Sequence, residues 1–300
     1  MAKPKKPTIA ICYDFDGTLS PGNMQEYDYI PQLRLSSKKF WREVEERAKS
    51  QGADSILSYM CLMVEKATPT SGVKITRKSF EDFGKTVELF SGVPDWFKRI
   101  NKYGNRQGAI VQHFIISSGI KEMIQGTPIA KKFKRIYASS YMFDQNGVAY
   151  WPALALNFTT KTQFLFRINK GVLDSWDNTR INDFIPMDKR PVPFSRIIYI
   201  GDGSTDIPCM KLVKEQGGYS IAVYPPGSKK KASAEKLLYE DRVIFVAPAN
   251  YSKGRSLDLL VKLIIEKMMA EHALFKREKH PASVSSASGP HCAPRRRTRT

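Results

Sequence analysis

The chain has 300 residues, 42% of them hydrophobic, and carries 48 Lys and Arg against 29 Asp and Glu for a formal net charge of +19. That length suits one large domain or a core with a smaller inserted unit, and the apolar content is enough for an ordinary globular core. No apolar stretch reaches membrane-spanning length, and Cys12, Cys61, Cys209 and Cys292 show no paired spacing, which argues against a membrane protein, a disulfide framework and a zinc site. The basic start, Met1 to Lys6, precedes only a short apolar run and lacks the features of a signal peptide. The expectation is a soluble protein with free thiols in a reducing cytoplasm.

In chain order, residues 8–13 form a buried apolar strand, followed by the turn-forming stretch 17–22. The pattern then becomes helical. Residues 37–49 and 55–66 read as amphipathic helices, and 79–89 as a third, capped by Ser79 with Asp82 three residues on. No strand pattern interrupts this region, so it reads as a helical insertion of about seventy residues, a small-domain size. A helix with Pro near its start follows over 94–103. A buried strand at 109–116 ends in Ser117-Ser118-Gly119 and leads into a new helix. Strands are predicted at 135–141 and 147–154 around the turn Asp144-Gln145-Asn146-Gly147, and a helix begins with 161–168. A strand at 195–200 ends in Gly201-Asp202-Gly203-Ser204-Thr205-Asp206. Short apolar runs at 219–224 and 243–246 and a closing helix at 257–270 complete the alternation, which predicts an α/β fold with a mostly parallel, doubly wound sheet. From about residue 279 the chain becomes Ser/Ala/Gly/Pro-rich and then Arg-rich, a composition that cannot bury a core of its own.

Two acidic loops carry the chemistry. Asp14-Phe15-Asp16-Gly17-Thr18 directly follows the first strand. In an open α/β sheet, ligands bind at that end of the strands. One carboxylate there can attack while its neighbour handles a proton, although an Asp pair in this position can also form only an Asx turn. Asp202 and Asp206 follow a second buried strand, where the flanking glycines permit a tight turn. Three or four carboxylates gathered at one sheet edge repel one another unless a cation neutralises them. An all-oxygen donor set without His or Cys indicates a hard cation such as Mg²⁺. Such a metal beside a nucleophile suits phosphoryl transfer. Ser117, with the backbone N–H groups beside it, is a candidate for binding phosphate at a helix start, or a simple N-cap. Lys161 opposes the helix dipole where it stands and is either a phosphate and carboxylate partner or a solvated lysine.

In this order, Asp14-Phe15-Asp16-Gly17-Thr18, Ser117-Ser118-Gly119, Lys161 and Gly201-Asp202-Gly203-Ser204-Thr205-Asp206 resemble the four motifs of the haloacid dehalogenase-like (HAD) hydrolases, over roughly residues 8–270. The Gly-Asp-Gly-x-x-Asp form and the helical insertion look closest to the phosphoserine phosphatase-like branch. The resemblance implies a Rossmann-like core over 8–20 and 91–278 with a mobile helical cap inserted at 21–90; composition adds the expectation of a basic N-terminal extension over 1–7 and a disordered basic tail over 279–300. It implies a Mg²⁺-dependent phosphatase of a small phosphorylated metabolite. Asp14 is then the nucleophile and forms an aspartyl-phosphate, and Asp16 protonates the leaving oxygen and activates water. Asp14, the Asp16 backbone carbonyl and Asp202 bind the metal with Asp206 in support, and Ser117, Ser118 and Lys161 hold the phosphate. An acid at Asp16 argues against dehalogenase chemistry. Phosphoserine phosphatases carry a Glu soon after the first motif, whereas here Asn23 stands at that distance and Glu26 three residues further, so phosphoserine is not assigned.

Other readings remain open in the sequence. A phosphomutase or phosphotransferase shares these motifs. The net charge suggests nucleic-acid binding or end processing, although eight of the basic residues lie at Lys3, Lys5, Lys6, Lys279, Arg295, Arg296, Arg297 and Arg299 in the terminal segments, and no basic helix or basic-aromatic stripe stands out. A solvated basic surface, or attraction of small anionic substrates, accounts for the charge as well. Tyr27, Tyr29, Trp41 and Tyr59 in the insertion are candidates for substrate contact or for its core. His113 reads as a core or strand-end residue. Oligomeric state is not legible.

Overall fold

The computed structural model describes residues 6–67 and 71–279. Its frame is a seven-stranded sheet: β1 (Thr8–Tyr13), β2 (Ile110–Ile120), β3 (Arg135–Phe143), β4 (Ala149–Leu154), β5 (Ile197–Gly201), β6 (Tyr219–Tyr224) and β7 (Phe245–Pro248), in the order β4-β3-β2-β1-β5-β6-β7. All pairs are parallel except β3–β4, which is antiparallel and forms one edge. The helices are α1 (Tyr29–Gln32), α2 (Ser37–Gln51), α3 (Ser55–Lys66), α4 (Arg77–Gly84), α5 (Val93–Arg106), α6 (Lys121–Gly126), α7 (Phe158–Lys170), α8 (Ile207–Glu215), α9 (Lys230–Tyr239) and α10 (Ser256–Lys279). None of the described helices is long and apolar enough to cross a membrane.

The sheet is buried on both faces because successive residues of a strand point to opposite sides. On β1, Ile9, Ile11 and Tyr13 join the core formed with α5 and α10, through Trp96, Phe97, Val261 and Ile265. Ala10 and Cys12 join the other core, with Phe164 of α7 and Met210 and Val213 of α8. From β1 the chain runs outward through β2 and β3, then returns to pair β5 on the opposite side of β1. This reversal makes the carboxyl ends of β1 and β5 the topological switch point, where an α/β sheet opens a crevice.

Most predicted elements are found within a few residues of their expected ends, and four differ. α4 starts before the predicted Ser79 cap, because Thr76 is the N-cap: its hydroxyl accepts from the Ser79 N–H at 3.1 Å, while the Ser79 hydroxyl accepts from the Thr76 N–H at 2.8 Å. The helix ends at Gly84, whose missing side chain allows it to lie against the Met123 carbonyl of α6, and 85–90 is not helical. β2 runs on through Ser117 to Ile120 by continuing to pair with β3, with an irregularity between those residues, and α6 begins only at Lys121. Ser117 therefore neither caps nor opens a helix. β7 lies two residues later than expected, and α10 extends to Lys279. The expected tail beyond residue 279, and Cys292, lie outside the described residues.

Residues 24–84 carry α1–α4 and no strand among the described residues. Their buried side chains, among them Tyr29, Phe40 and Met60, share a hydrophobic cluster with the sheet. Phe80 stacks on Tyr141 of β3 with ring planes 4° apart, and Tyr141 donates its O–H to the Met60 carbonyl at 2.8 Å.

Candidate active site

Asp14 continues the alternation of β1, so its carboxylate faces the α7–α8 side, on which Ala10 and Cys12 lie. Its N–H donates to the Ile200 carbonyl at 3.0 Å, extending the β1–β5 pairing by one residue, and its Oδ1 accepts from the Phe15 N–H at 2.7 Å. The chain then turns sharply, with the N–H groups of Thr18, Leu19 and Ser20 all directed at the Phe15 carbonyl. Gly17 allows this turn on two counts: its φ is +73°, and a Cβ there would collide with the Asp202 carboxylate. The two acidic loops are thus in contact at a position that only glycine tolerates. The Asp16 carboxylate accepts from the Met24 N–H at 3.0 Å.

Lys161 stands in the first turn of α7, behind the Asn157 N-cap, and is fully buried. Its Nζ lies 3.1 Å from Asp14 Oδ2 and 2.8 Å from Asp206 Oδ1, and it donates to Thr205 Oγ1 at 3.1 Å. The burial of a lysine at the positive end of a helix is explained by these partners. Burial pulls its ammonium down, but Asp14 and Asp206 outweigh that and hold it above its usual range. Asp206 braces the second acidic loop: its Oδ2 accepts from the Asp202 and Gly203 N–H groups at 3.2 Å each, and its Oδ1 also accepts from the Tyr199 O–H at 2.7 Å.

Negative charge remains in excess. Oxygens of Asp14, Asp202 and Asp206 lie within 4.8 Å of one another. Lys161 is the fully buried cation, and Lys230, at 3.4 Å from Asp202 Oδ2, is well exposed. Burial, followed by repulsion from Asp206, pushes the Asp14 carboxyl up to about 7 and the Asp202 carboxyl up to about 6. Burial, then Asp14, pushes Asp16 well above the carboxylate range. Carboxylates so disfavoured as anions are what a hard divalent cation relieves, so the donor set fits Mg²⁺. The carboxylate of Asp16 is not within this cluster of three.

Asp14, Asp16, Ser117, Ser118 and Asp202 line one cavity of about 550 Å³, with Lys161 and Asp206 immediately behind it. Ser117 is buried, and its Oγ accepts from the Gly119 N–H at 3.2 Å; the Ser118 Oγ is buried without a partner among the described residues. Gly119 has no room for a Cβ against Met24 and lies close to Asp16. Trp41 and Tyr59 line the same cavity. Tyr29 instead donates to the Met63 carbonyl inside the helical segment, and Tyr27 accepts from the Ser20 hydroxyl. His113 sits in the core between Tyr13 and Asn101, away from these residues.

Sequence reasoning missed several participants. Met24 and Tyr199 enter through hydrogen bonds that only the folded chain creates. Lys230, at the start of α9, and Gln25 also line the cavity. Lys230 belongs to a run of three lysines in a basic chain, and nothing in the linear pattern separates it from its neighbours. Thr205 alone carried a signal, as part of the second acidic loop.

The model of the haloacid dehalogenase-like hydrolase family matches residues 11–211. An uncharacterized protein of Borreliella burgdorferi is 30% identical over 275 residues, covering 83% of this chain and 93% of its own. The structure is similar to that of a HAD-family hydrolase of Salmonella enterica serovar Typhi (TM-score 0.55, 15% identity, 87% of this chain and 73% of that one). A substrate-bound phosphoserine phosphatase matches with TM-score 0.51 at 12% identity, over 86% of this chain and 99% of its own. A probable phosphoserine phosphatase of Vibrio cholerae matches with TM-score 0.53 at 14% identity, over 89% of this chain and 67% of its own. With the family model spanning both acidic loops and Lys161, the chain belongs to the haloacid dehalogenase-like hydrolases, with the fold of their phosphoserine phosphatase-like branch.

Proposed function

We propose that this protein is a Mg²⁺-dependent phosphatase that hydrolyses a phosphate monoester of a small metabolite through an aspartyl-phosphate on Asp14. The observation that carries this reading is the Asp14 carboxylate itself. It opens into the cavity, is gripped from behind by buried Lys161, and lies among carboxylates that call for a cation. Asp14, the Asp16 backbone carbonyl and Asp202 would hold the metal with Asp206 in support, and the metal would supply charge neutralisation for attack by an anion on an anion.

The chain's own residues divide the remaining work. Asp14 attacks phosphorus with one carboxylate oxygen as the ester oxygen leaves. Asp16, whose burial favours the protonated form, gives its proton to that leaving oxygen. It then takes a proton from the water that attacks the aspartyl-phosphate and restores free Asp14. Ser117, with Ser118 beside it, offers hydroxyl and backbone donors to the phosphate oxygens, and Lys161 fixes Asp14 and meets the charge that gathers there.

Residues 21–90 serve as the cap over a core of 8–20 and 91–278. Tyr59, on α3, donates its O–H to the Ser118 carbonyl at 2.6 Å, and the Met24 N–H holds Asp16. Closure of this segment thereby orders the phosphate-binding and proton-transfer loops together and excludes water. The described cysteines, Cys12, Cys61 and Cys209, are unpaired, which supports a cytoplasmic setting.

The experiment is hydrolysis of p-nitrophenyl phosphate with Mg²⁺, with and without chelator, by the wild type and Asp14→Asn. Turnover that requires the metal and Asp14 is expected. Metal-dependent turnover surviving in Asp14→Asn would falsify the nucleophile assignment. Isomerisation of a sugar phosphate without phosphate release would replace the phosphatase with a phosphomutase.

A further inference from the structure

α3 meets the core through polar groups at two points. Tyr59 reaches the Ser118 carbonyl. The other contact lies at the start of the helix, where Asp54 is the N-cap. Its Oδ1 accepts from the Ile56 and Leu57 N–H groups at 2.9 and 3.0 Å. Its second oxygen, Oδ2, accepts from the side-chain amide of Asn157. That bond crosses from the helical segment to the start of α7, where Asn157 is itself the N-cap. One carboxylate thus fixes two helix starts.

Asn157 carries the first turn of α7. Its N–H donates to Thr160 Oγ1 at 2.7 Å, and its carbonyl accepts from the Lys161 N–H at 3.2 Å. The next residue, Phe158, has a φ of +29°, a conformation that residues other than glycine rarely adopt. Phe158 is 45% exposed, so burial of its ring does little to hold that strained backbone, and the anchors beside it must do so. Lys161 closes this turn, with its Nζ at 2.8 Å from Asp206 and 3.1 Å from Asp14. A shift of the turn by an ångström or so would break both contacts.

We propose that Asp54 is a positioning residue: its bond to Asn157 sets the first turn of α7, so that Lys161 takes full hold of Asp14 only when α3 is docked. This inference rests on the phosphatase reading, in which Lys161 fixes the nucleophile. α3 then governs both grips on the phosphate, the serine turn through Tyr59 and Lys161 through Asp54. Docking of the helical segment and alignment of the nucleophile become one event, and water that enters while the segment is open meets an incomplete site.

The test uses the full chain with Asp54→Ser. Serine caps a helix as well as aspartate does, so α3 keeps its start, but a single oxygen cannot also reach Asn157. Hydrogen exchange should quicken about tenfold or more at the Lys161 amide and in the rest of the first turn of α7, while the amides of α3 keep their wild-type rates. With p-nitrophenyl phosphate and Mg²⁺, kcat should fall about tenfold or more and KM change by less than about threefold, as for a misplaced catalytic group. Asn157→Asp sets two carboxylates against each other and should act in the same direction. Combining it with Asp54→Asn restores one donor and one acceptor to the pair and should recover most of the loss, a rescue that helix capping alone does not produce. Unchanged exchange in α7 overturns the inference whatever the activity. Faster exchange in α7 with kcat within about twofold of the wild type also overturns it, because the turn would then move without consequence for Lys161. Absence of turnover in the wild type overturns the phosphatase reading, while exchange in α7 still decides whether Asp54 sets that turn.

Discussion

Tyr13 and Asp14 are neighbours in the chain, yet they enter buried polar networks of opposite character on the two faces of the sheet. On the α5 side, Trp96 Nε1–H donates to the Tyr13 oxygen at 2.8 Å, and the Tyr13 O–H is directed at His113 Nδ1 at 2.9 Å. His113 Nε2–H then reaches Asn101 Oδ1 at 2.9 Å. Each donor meets one acceptor, every member is neutral, and burial pulls the His113 imidazole down to about 3. On the α7 side, Asp14, Asp206 and Asp202 outnumber the buried Lys161. The first network closes on itself and has no use for a ligand. The second retains an excess of negative charge, and of the two it is the one that opens to a cavity. Burial of polar groups is common to both, and only the imbalance marks function.

The sharpest way to break this contrast is to neutralise one residue on each side. Asp14→Asn should lower kcat by about 10⁴-fold or more, as expected for a lost nucleophile, while circular dichroism remains that of the wild type. Lys161→Met leaves Asp14 and Asp206 without their buried partner and should cost about 3–5 kcal/mol in denaturant titrations without metal. Mg²⁺ should act only on the ionic side. At about a hundredfold excess over its Kd it should stabilise the wild type by about 2.7 kcal/mol and Asp202→Asn by much less, measured as a shift in Tm. On the neutral side, Tyr13→Phe strands the Trp96 N–H and should cost about 1–3 kcal/mol, with kcat/KM altered by less than about twofold.

The neutral network also predicts a pH dependence. The folded His113 resists protonation down to about pH 3, whereas the unfolded imidazole takes a proton near its ordinary value of 6.5. Below pH 6.5 the unfolded state therefore binds more protons, and stability falls as pH falls towards 3, by at most about 1.4 kcal/mol per unit. His113→Asn should flatten that slope relative to the wild type. An unchanged slope would remove His113 from the neutral network's account.

Legibility in the sequence followed the range of the interaction. The strand at Thr8–Tyr13 and the helix at Ser55–Lys66 are found within their predicted bounds, because alternation and helical periodicity are local signals. Asp14, Asp16, Asp202 and Asp206 stood out because their loops follow buried strands. Ser117 lines the cavity with the acidic loops, but it stands in a strand and not at a helix start, since β2 is prolonged by pairing with β3, a partner some twenty residues away. The α4 start was missed because Ser79 is as good a cap by composition as Thr76, and only backbone geometry separates them.

What the sequence by itself determined was the set of chemical groups: two acidic loops at strand ends, a serine turn and a lysine, in an order that resembles one hydrolase family. Tertiary structure decided which of the many lysines is buried, that Gly17 lies against Asp202, and that Gln25, Glu26 and Trp41 line the same cavity as the acidic loops. The reason is physical. Residue type and local periodicity set what a segment can form, whereas desolvation, charge imbalance and unpaired hydrogen bonds exist only once distant segments have packed together.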